Sequence, residues 1–476
     1  MFKNLSILFL LLLFSNSIQI KAQTHESIPK QIDSFLQQAC EHHYFSGSIL
    51  IAQNDKTIIS KGYGQANQEW KVSNETDTKF VIGSISKTIT ASLVLKLVEE
   101  GKFQLSDPIL KYLPELSEDK FKSISIHHLL SNTSGIPNFF MIPGWTNGSF
   151  RKDIPPNEFI QEVDKLELQF NPGSQYLYSN SGFYLLGTIV ERIMNKTYPE
   201  IIKEYVFDPL KMKNTGVIDN KKVISNFAEG YTLNENGGYN KQSYFNMNLF
   251  KAGGNIFSTT EDLLKWEQAL NSNQFLNEKS LSIFFNAKNN YCWNAETIEL
   301  NESKKMVNLY TYDGQIEGYS SIICRIPKSN TTIIILGNNG FGYQSKKYLL
   351  EILINSVYGK DYSNWKMPLS FLITKSIYNN NFETAIELFE SKRDNYIVRE
   401  SRINDLSNQL LWTGNKVMAI KFLKLNAKLF PESSSALFTL AESYKNMNQM
   451  KMALPIYQKL LKMHPKNDYL LQILNQ

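Results

Sequence analysis

Apolar residues recur with helical spacing at Ile32, Phe35, Leu36 and Ala39, which predicts a helix early in the chain. The period then changes. Ser48-Ile49-Leu50-Ile51-Ala52 is a short apolar run, Asn54-Asp55 is turn chemistry, and Thr57-Ile58-Ile59 returns, so the segment predicts a β-hairpin. From Thr88 to Glu99 the helical period resumes, with Ile89, Leu93, Leu97 and Val98 on one face and Gly101 as the stop. From there to about Leu300 the pattern is mostly that of helices and loops, broken by Pro137, Pro143-Gly144, Pro155-Pro156 and Pro172-Gly173. Strand character returns at Val307–Tyr312, Ser320–Ile326 and Thr331–Gly337, followed by a helix over Ser345–Val357. The sheet therefore draws strands from both ends of the domain, with a mostly helical region inserted. Short turns between the late strands predict an antiparallel α/β arrangement flanked by helices.

Past Lys366 no run reads as a strand, and the pattern repeats. Ala385, Ala419 and Ala453 stand 34 residues apart, as do Phe389, Leu423 and Tyr457, and Asn380, Gly414 and Asn448; Pro431 and Pro465 keep the same step. A small residue on one helix lets its neighbour approach, which is what a helix-turn-helix solenoid needs. The tail, 366–476, resembles tetratricopeptide repeats and is expected to be all-α. Its last copy matches best, at Leu437, Leu440, Ala441, Tyr444, Ala453, Tyr457 and Pro465, whereas the first has Ile397 where Pro would stand. The competing expectation is an irregular helical bundle.

The first 23 residues predict an address rather than structure. Lys3 precedes the apolar run Leu5 to Phe14, and a polar stretch ends at Lys21-Ala22-Gln23. The run is short for a bilayer span and fits a secretory signal better than an uncleaved anchor. The chain is then exported, to a periplasm or beyond, and is not integral to the membrane once cleaved. A formal net charge of +5, with no dense basic stripe, argues against nucleic-acid binding. The excess lies in the tail, with 15 Lys and Arg against 9 Asp and Glu from Lys366 to Gln476, and reads as solvated helix faces before a weak pull toward anionic surfaces. Cys40, Cys292 and Cys324 are too few and too irregular for a disulfide scaffold, although one bridge is open to them, and Cys324 is expected in the core.

Ser-x-x-Lys occurs five times, from Ser27, Ser84, Ser117, Ser149 and Ser363. Chemistry requires the Ser at a helix start, where i and i+3 share a face and unpaired N–H groups favour a developing anion. Only Ser84 qualifies. It follows the apolar Phe80-Val81-Ile82-Gly83 and opens the helix Ser86–Glu99. A hydroxyl needs a neighbouring base, and Lys87 can serve if burial or nearby charge lowers its pKa; otherwise it is one more solvated helix charge. Tyr178-Ser179-Asn180 precedes the apolar helix Phe183–Ile193, so a phenol that can pass a proton and an amide that can hold a substrate carbonyl or the Lys can point into one site. Tyr362-Ser363-Asn364 repeats the tripeptide without that setting and reads as linker.

Together with Leu129-Leu130-Ser131-Asn132-Thr133-Ser134-Gly135-Ile136-Pro137, Pro172-Gly173, Asp208-Pro209-Leu210-Lys211-Met212 and Ala252-Gly253-Gly254 through Ser258-Thr259-Thr260-Glu261-Asp262-Leu263, these stretches keep one order and spacing. From about Ile32 to Tyr358 the chain resembles the serine β-lactamase and D-alanyl-D-alanine carboxypeptidase superfamily, nearest the branch of class C β-lactamases and related esterases. The resemblance implies a hydrolase domain over 24–362 with the β-lactamase/penicillin-binding-protein-like sheet. It implies Ser84 as nucleophile, Lys87 and Tyr178 as proton carriers, Asn180 as a substrate contact, and the N–H groups of Ser84 and Gln315 as an oxyanion hole beside Gly314. No cofactor or metal is called for. One departure stands out: Tyr312-Asp313-Gly314 occupies the place where the family has Lys or His, any residue, then Gly. That puts β-lactam and D-alanyl-peptide preference in question and leaves the nucleophile, base and oxyanion hole in place. Asn132, where many relatives carry His, is a milder departure. His127 and His128 open an apolar helix and are read as core or cap residues rather than as part of a Ser-His-Asp triad. The expected substrate is a small molecule or peptide bearing an ester or amide, with a protein partner for the repeats. The alternative is a vestigial hydrolase domain serving the repeats as a binding module.

Overall fold

The computed structural model describes residues 29–142, 151–234, 237–289, 291–300, 304–340, 343–360, 366–412 and 414–475. The leader and the second Tyr-Ser-Asn, at 362–364, lie outside the described residues. Six strands make the main sheet: β1 (Gly47–Gln53), β2 (Lys56–Tyr63), β3 (Asn294–Glu299), β4 (Met306–Ile316), β5 (Tyr319–Ile326) and β6 (Thr331–Gly337). Their order is β3-β4-β5-β6-β1-β2, antiparallel throughout. The β1–β2 hairpin turns on Asn54 and Asp55, at φ 49° and 61°, the left-handed pair that a tight hairpin turn demands.

The central strands are apolar on both faces because both are covered. Ile333 and Ile335 of β6 pack with Ile32, Phe35 and Leu36 of α1 (29–41) and with Leu349 and Leu353 of α4 (Tyr343–Val357). Ile334 and Leu336 point the other way, into the core around α2 (Ile85–Glu99) and α3 (Asn180–Met194). That alternation is the period-2 geometry of a strand dividing two cores. The one-faced pattern expected of α2 is only part of its burial: every residue from Ile85 to Leu95 is buried, because the helix runs between the sheet and the inserted helical region.

Four differences from the sequence reading have local causes. β3 was not anticipated because Asn294–Glu299 is partly or fully exposed along its length and carries little apolar signal. β4 continues past Tyr312 to Ile316, pairing through Gly314 with Ser321. The inserted region is not only helices and loops: Phe80–Val81, Ile256–Ser258 and Gly216–Val217 form a small sheet, and Tyr231–Leu233 pairs with Tyr239–Lys241. The tail, expected to lack strands, has a two-residue parallel ladder between Met367–Pro368 and Tyr396–Ile397, at the place where the first repeat lacks its Pro. All three cysteines are free, and Cys324 is in the core.

The tail is otherwise helical: α5 (Leu369–Tyr378), α6 (Phe382–Ser391), α7 (Glu400–Trp412), α8 (Lys416–Leu429), α9 (Ser434–Asn446), α10 (Met450–Met463) and α11 (Asp468–Leu474). Ala385, Ala419 and Ala453 are buried where α6, α8 and α10 meet their neighbours, and Asn380, Gly414 and Asn448 sit in the turns with φ of 50°, 93° and 57°. The first tail helix also enters the sheet-side core. Phe371 is fully buried with its ring 4.5 Å from Tyr44 and 5.7 Å from Phe35, and Tyr378 stacks on His43 at 3.5 Å. Phe371→Ala is therefore expected to cost about 3–5 kcal/mol in urea unfolding followed by a probe of the sheet domain. No change in the midpoint of that transition would show that the tail does not brace the sheet.

Candidate active site

The short strand Phe80–Val81 delivers the chain to Gly83, whose φ of 53° turns it into α2 with Ser84 at the N-cap. Two close approaches set the wall beside it. A Cβ at Gly314 would lie 1.9 Å from the Ile82 carbonyl oxygen, and one at Gly83 would lie 2.8 Å from the Gln315 nitrogen. Both positions must lack a side chain for the Ile82–Ser84 segment to lie against β4. The result is that Ser84 and Gln315 line one cavity.

Lys87, one turn into α2, is fully buried rather than a solvated charge. Its Nζ stands 3.3 Å from Ser84 Oγ and donates to Asn180 Oδ1 at 2.6 Å and to the Gly253 carbonyl at 2.6 Å. Burial removes the water that would solvate an ammonium and lowers the Lys87 pKa from 10.5 to about 7; the nearby Cys292 pushes the other way with smaller effect. Tyr178 Oη lies 2.5 Å from Ser84 Oγ and 3.4 Å from Asn180 Oδ1, and burial holds its phenol well above the ordinary range. The four side chains singled out from the Ser-x-x-Lys and Tyr-Ser-Asn motifs thus meet around one hydroxyl.

Asn132 carries more than its sequence context suggested. It sits at φ 55°, where Asn is among the better-tolerated residues, and its Oδ1 accepts the Ser179 N–H at 3.0 Å while its carbonyl accepts the Leu177 N–H at 2.8 Å. It pins the loop that carries Tyr178. His128 caps its helix, its Nδ1 accepting the Ser125 N–H, and His127 bonds Tyr291 at 2.5 Å, so neither enters the site. Among the other Ser-x-x-Lys matches, Ser117 and Lys120 both bond Asp164; Ser27, Ser149 and Ser363 lie outside the described residues.

The cavity holds about 540 Å³ and has an aromatic rim in which Phe140 and Tyr176 are exposed, with Phe245 and Phe250 beside them. Tyr312 lines it and is otherwise buried, near Cys292, whose thiol burial raises to about 12. Two carboxylates line it as well. Asp313 pairs with Lys346 at 3.1 Å, and Glu317 accepts from Ser243 N and Oγ at 2.9 and 3.0 Å. No Lys or Arg is among the described lining residues. No local sequence pattern marks Cys292 and Lys346, which are buried outside the lining of the cavity.

Among known proteins, the chain is 26% identical to penicillin-binding protein 4* of Bacillus subtilis (strain 168) over 366 residues, covering 71% of this chain and 78% of that one. It is 27% identical to protein flp of Staphylococcus aureus (strain MW2) over 328 residues, which span 67% of this chain but only 64% of flp. The fold matches a penicillin binding protein from Bacillus halodurans with a TM-score of 0.57 at 24% identity, over 67% of this chain and 98% of that one. It also matches EstCE1, a hydrolase with promiscuous acyltransferase activity, with a TM-score of 0.57 at 20% identity, over 70% and 99%. The beta-lactamase family model matches residues 30–354, well over half of the sequence, and the chain belongs to the beta-lactamase family.

Proposed function

We propose that the chain is an exported serine hydrolase that takes the acyl group of an ester or amide onto Ser84 and passes it to water. The observation that carries this reading is the hydrogen bonding of Lys87. A neutral amine has two N–H groups, and Asn180 Oδ1 and the Gly253 carbonyl take both, which turns the lone pair toward Ser84 Oγ. A lysine with a pKa near 7 holds that form in a large share of molecules at neutral pH. Ser84 Oγ attacks the carbonyl carbon as its proton passes to Lys87, with Tyr178 in contact to relay it. The N–H groups of Ser84 and Gln315 hold the oxyanion. Collapse breaks the bond to the leaving alkoxide or amine, which takes the proton back. Water then repeats the sequence on the Ser84 ester and frees the acid.

The cavity wall favours neutral or amine-bearing substrates over carboxylate-bearing ones, because Tyr312 stands where a cation would and Asp313 and Glu317 face the same space. The aromatic rim suits an apolar acyl or leaving group. The tail, 366–476, is read as tetratricopeptide-like repeats that brace the sheet through Phe371 and offer outer helices to a protein partner. Export rests on the first 23 residues; among the described residues no helix is long and apolar enough to cross a membrane. Tyr312 is the feature that favours a vestigial domain, and the buried Lys87 with its contacts to Ser84, Asn180 and Gly253 weighs against one.

Intact-protein mass, with a penicillin and a small activated ester offered separately, tests the reading: an added acyl mass supports it, and none from either compound overturns it. The departure at β4 is tested by Tyr312→His. It is expected to raise kcat/KM for a carboxylate-bearing ester by about tenfold relative to its neutral analogue, the worth of one charge-assisted hydrogen bond. An unchanged ratio would show that position 312 does not face the substrate's carboxylate end.

A further inference from the structure

The oxyanion donor assigned to Gln315 is one end of a peptide group whose other end is the Gly314 carbonyl. In a trans peptide the two point in opposite directions. The Gln315 nitrogen lies beside Gly83, 2.8 Å from where a Cβ would stand there, whereas the Gly314 carbonyl oxygen accepts from Lys346 Nζ at 2.9 Å and from Ser321 Oγ at 3.4 Å. Lys346 comes from α4, is fully buried, and pairs with Asp313 Oδ2 at 3.1 Å. Burial pushes the pKa of Lys346 down and Asp313 pushes it back up, so the carboxylate is what holds an ammonium against a backbone carbonyl that already lies in a sheet.

We propose that Lys346 is a positioning residue that polarises the Gly314–Gln315 peptide from its carbonyl end and so makes the Gln315 N–H a stronger oxyanion donor. The inference rests on the acyl-transfer reading above. A cation on a peptide oxygen draws electron density through the C–N bond and leaves the N–H more positive. Hydrogen bonds in such chains reinforce one another, and those to an ionised partner are the strong ones. The cation that the family places on this strand is absent at Tyr312, while Lys346 puts one behind it, one peptide from the reacting centre. Asp313 fixes the ammonium and takes part of its field. A plain structural pair would hold β4 in place without altering how strongly Gln315 pulls on an oxyanion.

The test uses the full-length protein acylated by an activated ester with a ¹³C-labelled carbonyl, whose infrared stretch reads the hydrogen bonding of the oxyanion hole. Lys346→Gln keeps a donor and removes the charge. Its band is expected to move to higher frequency, with acylation and deacylation both slowed about tenfold, a fraction of the ~10²–10³ that loss of a whole donor costs. Lys346→Arg is expected to keep the wild-type band. Asp313→Asn removes the charge that holds Lys346 protonated, so it is expected to move the band to higher frequency as well, and it serves if Lys346→Gln does not fold. A wild-type band in folded Lys346→Gln, or in Asp313→Asn, overturns the assignment of Lys346 alone. A wild-type protein that takes no acyl group overturns the acyl-transfer reading, and this inference with it.

Discussion

Ser84→Ala is expected to abolish the acyl adduct with every ester or amide the wild type accepts and to lower kcat by at least ~10⁴-fold, the scale set by removing a nucleophile from a working hydrolase. Its fold should be untouched. Ser84 occupies the N-cap of α2 but its side chain makes no cap hydrogen bond there, so alanine forfeits none of the usual capping energy. What the hydroxyl does touch is Tyr178 Oη at 2.5 Å and Lys87 Nζ at 3.3 Å, the groups that would carry its proton. Loss of activity with an unchanged melting temperature would therefore locate the defect in the chemistry. Turnover by the alanine variant within a factor of ten of wild type, or an adduct of the same mass on it, would refute Ser84 as the acyl acceptor. The vestigial reading makes the opposite forecast, with no activity to lose and the tail's binding unaffected.

The motif around Ser84 was legible because context distinguished it from four identical patterns: an apolar run before it and a helix after it. The decisive property of Lys87 was not. Its burial depends on Asn180, 93 positions further on, and on Gly253, 166 positions further on, and no local pattern reports contacts at that range. The same limit hid Asn132, whose role is to hold the Ser179 N–H across 47 positions, and Lys346, which reaches Gly314 from α4. The strands β1, β5 and β6 could be read because covered strands are apolar, β4 from its alternation, and β2, an exposed edge, because the Asn54-Asp55 turn leads straight back from β1. β3 could not, since its edge position leaves its residues partly or fully exposed. In the tail, the 34-residue step was visible because the same small residue recurs where helices touch, whereas the burial of Phe371 against Tyr44 is a contact between two regions with no shared period.

Replacing the base should separate activity from stability. Lys87→Met is expected to lower kcat by ~10³–10⁴-fold, since Ser84 would lose the group that takes its proton. In the proposed mechanism the active form is the neutral amine, so kcat/KM should rise with pH through about 7 and fall away below it; the variant's residual activity should lack that limb. The stability of the wild type carries the same signature with its sign fixed by burial. The folded pKa of Lys87 is depressed from 10.5 to about 7, so between those values the unfolded chain binds a proton that the folded chain does not. Stability linked to Lys87 is complete above about pH 10.5, drains away as pH falls toward 7, and stays low beneath it. Urea unfolding of wild type and Lys87→Met should therefore diverge with pH, the wild type gaining on the variant by up to about 1.4 kcal/mol per pH unit across that window. Parallel curves would mean that Lys87 keeps an ordinary pKa in the folded protein. It would then stay charged at neutral pH, its lone pair would be occupied, and the proton of Ser84 would have to leave by way of Tyr178.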